Sequence, residues 1–317
     1  MIHADPYIQS DPTVAFCGEN FVVVWTDARF AQGHSWLAAA AVDTAGFIVD
    51  TSICVGAQTM ANEECPDITF DGSRCLVVWY NYDQPFGVYG RFLDGSGLPE
   101  DTIINVATTS AGYNVNPSIT FMAARYLVVW ADTRAGSSDL DVSGQFLSVT
   151  GSAIGEKFTI ATGPANQMYP RVCNNGTHFL VVWREGTMAI YGQWYDDMGN
   201  PVGNIFQVSD SASVYRFRVG LDASPEGYLA AWSEVHDDVT DIYGSAGALI
   251  GCEEGMNLDR GAAFGATLFN CFPNVLQGKQ YRIYDVCGRD VTTSASSCGV
   301  YYLQVDNGAL QKIVIVK

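Results

Sequence analysis

The sequence predicts an all-β protein: a β-propeller of about five four-stranded blades (residues 1–251), then a small C-terminal Ig-like β-sandwich (residues 252–317). Three observations predict it. One phrase ending in tryptophan recurs at a period near 50 residues, a period that belongs to propellers and solenoids. The flanks of that phrase recur with it. Helical periodicity is absent, and short strand-like runs alternate with Gly, Asn and Asp turn signals.

The phrase reads Phe21-Val-Val-Val-Trp25, Cys75-Leu-Val-Val-Trp79, Tyr126-Leu-Val-Val-Trp130, Phe179-Leu-Val-Val-Trp183 and Tyr228-Leu-Ala-Ala-Trp232. The tryptophans are 54, 51, 53 and 49 residues apart. Pro12, Pro66, Pro117 and Pro170 each stand 13 residues before their tryptophan. Phe217 takes that place in the fifth unit, two residues further out. After the tryptophan comes Val88-Tyr-Gly90, Val142-Ser-Gly144, Ile190-Tyr-Gly192 or Ile242-Tyr-Gly244; the first unit lacks it.

Each unit reads as four strands. Strand A follows the proline, as in Ser118-Ile-Thr-Phe121. A tight turn comes next, marked by Asp71-Gly72 or Asn175-Gly176, pairs that favour type I′ hairpins. Strand B is the Val-Val-Trp run, apolar on both faces, as a strand sandwiched between sheets must be. Strand C carries the Tyr-Gly phrase, and strand D is short, as in Phe158-Thr-Ile160. Ile2 lies ten residues before Pro12, as Ile160 lies ten before Pro170, so the chain begins at the end of a strand D. The fifth unit lacks a strand D of its own. The N-terminal segment is therefore expected beside its strand C, closing the ring. Rings of four, six or seven blades, or an arc of a longer array, are the alternatives.

Charge narrows the function classes. The formal net charge is −18, which opposes nucleic-acid binding and anionic membrane surfaces, since both need a basic face. Residues 1–251 hold 28 Asp and Glu against 10 Lys and Arg, while residues 252–317 hold 6 of each. That shift supports a domain boundary near Gly251. No apolar run reaches the ~18 residues of a membrane span. Met1 to Tyr7 lacks the basic start and apolar run of a signal peptide. Nine cysteines show no paired CxxC spacing, so no zinc site is expected, and no cofactor is implied.

The units resemble a repeat common in large secreted bacterial proteins. The stretch nearest to it is Ile190-Tyr-Gly-Gln-Trp-Tyr-Asp-Asp-Met-Gly-Asn-Pro-Val-Gly203. This resemblance covers residues 1–250 and implies an architecture only. The tail carries Tyr281-Arg-Ile-Tyr-Asp-Val-Cys-Gly-Arg-Asp-Val291, Gly299-Val-Tyr-Tyr-Leu-Gln-Val305 and Lys312-Ile-Val-Ile-Val-Lys317. These phrases resemble the C-terminal sorting domain of type IX secretion substrates, although Val275 stands where that family has its second proline. The resemblance implies that the tail is an export address, with the secretion machinery as its partner and the cell surface or exterior as destination.

Candidate site residues lie just after the tryptophans. Asp27 and Arg29, and Asp132 and Arg134, put two charges on one side of a strand end, because side chains alternate. Asp83, Arg184 with Glu185, and Glu234 hold similar places in the other units. The long polar D–A loops, residues 56–64, 107–116, 162–169 and 209–216, share that rim and bring Tyr113, Tyr169 and Tyr215. Such a rim suits a polar ligand. The plainer reading is that Asp–Arg pairs pin the turns, where exposed pairs contribute only ~0–1 kcal/mol. The tryptophans themselves read as packing between blades, not as sugar platforms, because they sit within apolar strands.

No catalytic residue stands out. His3, His34, His178 and His236 sit in no recognisable motif, and sialidase-type Asp boxes are absent. The expected function is a secreted or surface-attached binding or structural module, with an extracellular glycan or protein as partner. The alternative is a carbohydrate-active enzyme, a glycoside hydrolase or lyase, on a five-bladed propeller. Carboxylates pointing into the central funnel would mark it, and of the A strands Asp67 and Asp222 offer one. In the tail, Cys287 and Cys298 bracket a ten-residue Ser/Thr-rich loop between two strands. That spacing suits a disulfide, with two unpaired thiols as the alternative.

Overall fold

The computed structural model describes residues 7–31, 34–56, 62–83, 85–109, 114–133, 139–210, 214–225, 227–236, 239–248, 266–269, 281–285, 299–305 and 311–315. The chain divides into two compact units, Met1–Tyr243 and Gly244–Lys317. The first is a five-bladed, all-β propeller. Blade 1 is β1 (Gln9–Phe16), β2 (Phe21–Ala31), β3 (His34–Val42) and β4 (Ile48–Cys54). Blade 2 is β5 (Glu63–Phe70), β6 (Cys75–Asn81), β7 (Phe86–Leu93) and β8 (Pro99–Thr109). Blade 3 is β9 (Asn114–Met122), β10 (Arg125–Thr133), β11 (Leu140–Ser148) and β12 (Ala153–Ala161). Blade 4 is β13 (Gln167–Asn174), β14 (Phe179–Glu185), β15 (Ala189–Tyr195) and β16 (Pro201–Gln207). Blade 5 is β17 (Tyr215–Ser224), β18 (Gly227–His236) and β19 (Val239–Ala248). Each sheet runs in sequence order with its first strand innermost.

Blade 5 has three strands among the described residues. The amide of Ala28 donates to the Ile8 carbonyl, and Gln9 and Ser10 pair with Asp27 and Thr26. Residues 8–10 therefore extend strand A of blade 1. The segment before Pro12 is expected beside β19, but its described part pairs with β2 of blade 1, and residues 1–6 lie outside the described residues.

The B strands of blades 2, 3 and 4 are buried along their apolar runs, as two apolar faces require, while Phe21 and Leu229 in blades 1 and 5 are exposed. All five phrase tryptophans, Trp25, Trp79, Trp130, Trp183 and Trp232, are at most 5% exposed. Trp79, Trp130 and Trp183 pack between blades, and Trp25 packs against Val23, Ala38 and Ala40 of its own blade. One core cluster joins Val22 and Val24 to Val77 and Trp79, a second joins Leu76 and Val78 to Val128 and Trp130, and a third joins Leu127 and Val129 to Val181 and Trp183. Indole burial of ~150–250 Å² apiece makes these interfaces the main source of stability. Blades 1 and 2 are also tied covalently by a disulfide between Cys17 and Cys75, with a Cα–Cα distance of 5.7 Å. Blades 2 and 3 share a half-buried tether: the Tyr126 hydroxyl donates to the Asp71 carboxylate at 2.6 Å.

The A–B turns differ from expectation. At Asp71-Gly-Ser-Arg74 and Asn175-Gly-Thr-His178 the glycine is the first central residue, with φ +98° and +90°, and the next residue keeps a negative φ. That is the type II′ arrangement and not I′. The Asp71 and Asn175 side chains accept from the amides that follow, which positions them before the glycine. Blade 3 makes the type I′ turn without glycine: Ala123 and Ala124 both take positive φ, 53° and 59°.

The second unit contributes one described sheet: β20 (Ala266–Phe269), β21 (Tyr281–Asp285), β22 (Gly299–Val305) and β23 (Gln311–Ile315), in the order β20-β23-β22-β21. β21 and β22 pair antiparallel, as do β22 and β23. Cys287 and Cys298 lie outside the described residues.

Candidate functional site

The funnel at the propeller axis is built by a defect that every innermost strand repeats. β1, β5, β9, β13 and β17 each slip register by one residue against the B strand, between Ser10 and Thr13, Glu64 and Asp67, Val115 and Ser118, Met168 and Arg171, and Phe217 and Gly220. This is a β-bulge, which re-aims a side chain. At each bulge one non-glycine residue takes a left-handed backbone: Asp11 at φ 51°, Cys65 at 52°, Asn116 at 54°, Tyr169 at 52° and Arg218 at 55°. Each such residue costs about 1–3 kcal/mol and persists only where the surroundings hold it. Four of them precede a proline, which has no ladder N–H to lose and so tolerates the bulge. In blade 5 the proline's register belongs to Val219, 13 residues before Trp232. Phe217, expected there, lies before the bulge.

All five left-handed residues line one cavity of about 830 Å³. Deeper in, two residues further along each strand, stand Thr13, Asp67, Ser118, Arg171 and Gly220. A second cavity of about 420 Å³ shares Asp67, Arg171 and Gly220 with the first and ends on Thr120, Cys173, Asn174 and Asp222.

Asp67 is the fixed point of the funnel. Its Oδ1 accepts from the Thr13 hydroxyl at 3.2 Å and from the Ile68 amide at 3.0 Å. Its Oδ2 accepts from the Ser118 hydroxyl at 2.8 Å and the Ile119 amide at 3.0 Å. One carboxylate thus links blades 1, 2 and 3. Asp11, at the mouth, is exposed and accepts from the Ser10 hydroxyl at 2.9 Å. Cys65 is poorly suited to nucleophilic work. Burial and the charges of Asp11 and Glu64 push its thiol up to about 11, against a smaller pull from Arg171, and the thiol form is inert. On the side of blades 4 and 5 the lining is aromatic, from Tyr169, Tyr215 and Phe217. The last two rings lie 5.5 Å apart. Among the described residues, no group of three or more His, Cys, Asp or Glu is arranged to hold a metal ion.

The residues expected on the rim separate into two sets. Tyr169 and Tyr215 line the mouth cavity. Arg184 stands against them, its guanidinium carbon 4.7 Å and 5.5 Å from their ring centres. The others serve the frame. Asp27 is fully buried; it accepts from the Trp25 indole at 2.8 Å and pairs with Arg29 at 3.1 Å. Asp132 pairs with Lys157 and accepts from Ser143. Asp83 accepts from the Asn62 amide at 2.7 Å. Glu185 is half-buried and pairs in register with Gln167 and Ala189. Glu234 accepts from Trp232 at 2.8 Å, from Arg216 at 2.8 Å and from His236 at 2.7 Å. Burial pushes its carboxyl up, but those hydrogen bonds and the Arg216 charge outweigh burial and hold it below the usual range. Tyr113 and Arg134 lie outside the described residues. D–A loops and B–C turns do share a rim: Asn62 accepts from Ser35, and Asn166 from Leu140.

Sequence reasoning missed Asp11, Cys65, Asn116, Arg171 and Arg218. A signal existed. The positions 14 and 12 residues before each tryptophan read Asp, Cys, Asn, Tyr, Arg and Thr, Asp, Ser, Arg, Gly, unrepeated places in a repeated frame.

No protein-family model matches the chain, and no curated protein matches it. Solved structures do. A protein of unknown function from Dyadobacter fermentans is 11% identical, with 98% of this chain and 94% of that one covered, at a TM-score of 0.55. An N-acetylgalactosamine deacetylase from F. plautii, solved with blood group B trisaccharide, is 10% identical over 74% of this chain and 81% of that one, at a TM-score of 0.50. An arabinanase from Bacillus subtilis is 15% identical over 63% of this chain and 73% of that one, at a TM-score of 0.38. These likenesses bear on the fold. The expectation of a binding or structural module is not supported by them, since a neighbour at a TM-score of 0.50, the F. plautii deacetylase, is an enzyme. No helix among the described residues is long and apolar enough to cross a membrane.

Proposed function

We propose that this chain is a carbohydrate-active enzyme, a glycoside hydrolase or lyase, that takes a sugar chain into the central funnel. The observation that carries the reading is the lining of the mouth cavity. Three aromatic rings, Tyr169, Tyr215 and Phe217, stand on one side, and two carboxylates, Asp11 and Asp67, on the other. The C–H faces of a sugar ring are apolar and electropositive at the hydrogens, so they stack on aromatic faces. Breaking a glycosidic bond takes two carboxyl groups in different roles. Asp67, held by four donors, is the positioned carboxylate. Asp11, exposed at the mouth, is the group that exchanges a proton with solvent or the leaving oxygen.

The test is release of reducing ends from a panel of neutral and acidic polysaccharides, run beside a glycan array. Activity on at least one polymer is expected, lost in Asp11→Asn and in Asp67→Asn. A folded protein that neither cleaves nor retains any glycan overturns the proposal.

The same reading makes the protein extracellular, with residues 252–317 as an Ig-like export address engaged by a type IX secretion machinery. It is supported by the Tyr281, Gly299 and Lys312 phrases, which fall on β21, β22 and β23. In a host with that machinery, a chain ending at residue 251 is expected to stay in the periplasm. Its delivery to the cell surface refutes this part.

A further inference from the structure

The charge at the mouth cavity is divided. Asp11 and Asp67 stand on blades 1 and 2, whereas Arg171 and Arg218 stand on blades 4 and 5, and Asp222 of blade 5 lies in the second cavity. Resting on the carbohydrate reading, we infer that the glycan is anionic, with carboxylate or sulfate groups on its sugar rings, and that Arg171 and Arg218 select it.

Arg29, Arg74 and Arg216 are each paired with a carboxylate, and Arg91 is held by three backbone carbonyls and Arg125 by that of Asp197. Arg171 and Arg218 have no carboxylate partner among the described residues. Arg171 donates only to the Pro170 carbonyl, at 3.2 Å. Arg218 is exposed at the mouth on a left-handed backbone, which holds its side chain at the cavity at the cost of strain.

Arg184 adds a third charge behind the wall. It is 4% exposed, and its Nε has no hydrogen-bond partner. Its other contacts are the Arg216 carbonyl at 2.9 Å, the Met168 sulfur, and the Tyr169 and Tyr215 rings. A buried charge left uncompensated is unfavourable. The field of Arg184 reaches the cavity through the two rings that line it. An anion seated against Tyr169 and Tyr215, between Arg171 and Arg218, would compensate all three charges. Guanidinium suits the task because its fork of donors matches the paired oxygens of carboxylate and sulfate. The molecule as a whole, at −18, repels polyanions, so anion binding must be local.

The experiment measures affinity of the full chain for four polymers: polygalacturonate, its carboxyl-reduced form, a sulfated galactan and its desulfated form. At least one anionic polymer is expected to bind at least about tenfold more tightly than its neutralised partner. In Arg171→Gln and in Arg218→Gln that ratio should fall about tenfold each, as loss of a charged hydrogen bond predicts, with thermal midpoints near wild type for the exposed Arg218. The anionic polymer that is preferred identifies carboxylate or sulfate. Equal binding of charged and neutral forms, or an unchanged ratio in both variants, overturns this inference and leaves the carbohydrate reading standing. Binding of none of the four, with the wider glycan panel also silent, overturns both.

Discussion

Replacing Cys17 and Cys75 together by alanine isolates the covalent tie between blades 1 and 2. The two residues lie 58 apart in sequence. For a closed loop of that size the chain-entropy relation gives about 4 kcal/mol of stability lost when the bridge is absent. Whole domains are stable by only about 5–15 kcal/mol, so the change is large. Both half-cystines are at most 1% exposed, and reductant should not reach the bridge in the folded state. The assay is therefore equilibrium unfolding in guanidinium chloride with and without dithiothreitol, where the unfolded chain is reduced. Wild type should lose midpoint in dithiothreitol, by the amount the double variant has already lost. The double variant should be indifferent to it. Two results refute the reasoning: an unchanged wild-type midpoint with full reduction confirmed by alkylation, or both thiols alkylated in the native protein without reductant.

Two further outcomes are expected. Ala124→Gly should raise the unfolding free energy by about 1 kcal/mol, because a left-handed backbone is unfavourable for alanine by about 1–2 kcal/mol and glycine lacks that penalty; an unfolding midpoint at or below wild type counts against it. Glu234→Gln should destabilise by about 3 kcal/mol, as breaking a buried pair with Arg216 does. The pH dependence has a definite sign. A carboxyl whose pKa is lowered by folding contributes stability above its unfolded value, near 4.5, and loses it as pH falls through the lower folded value. Wild type should therefore lose stability on that acid limb more steeply than Glu234→Gln, and parallel limbs would refute the assignment.

The blade frame was legible in the sequence because the B strands of blades 2, 3 and 4 are buried on both faces. Nothing but Val, Leu, Ala and Trp fits there, so the phrase recurs and its period shows. The Cys17–Cys75 bridge was not legible: it joins the end of one A strand to the start of the next blade's B strand, a pairing no spacing encodes. The A–B turns were misread because glycine follows Asp or Asn in both hairpin types. What decides is whether the residue after glycine also goes left-handed, and that is not written in the dipeptide. The funnel was the largest omission. Its chemistry sits on five bulges, and a one-residue bulge leaves no trace in a pattern of alternation. Phe217 compounded this. An aromatic two residues early looked like the counterpart of the proline, which put Arg218 out of register with Asp11, Cys65, Asn116 and Tyr169.

The same comparison separates frame from site in a repeat protein. Residues two after the tryptophan are acidic in four blades, Asp27, Asp132, Glu185 and Glu234, and Asn81 in the other. In blades 1 and 5 the acid accepts the indole N–H two residues back on its own strand. In blades 3 and 4 the Trp130 and Trp183 indoles make no such bond, and Asp132 pairs with Lys157 instead. The mouth residues share a backbone conformation in all five blades and yet differ in every side chain. A conserved shape with divergent chemistry is what a single ligand on a pseudo-symmetric axis demands, since the ligand lacks the symmetry of the ring. At the mouth cavity, acids on blades 1 and 2 with arginines and aromatics on blades 4 and 5 give a polar axis across its width. A sugar chain entering it is thereby oriented as well as held.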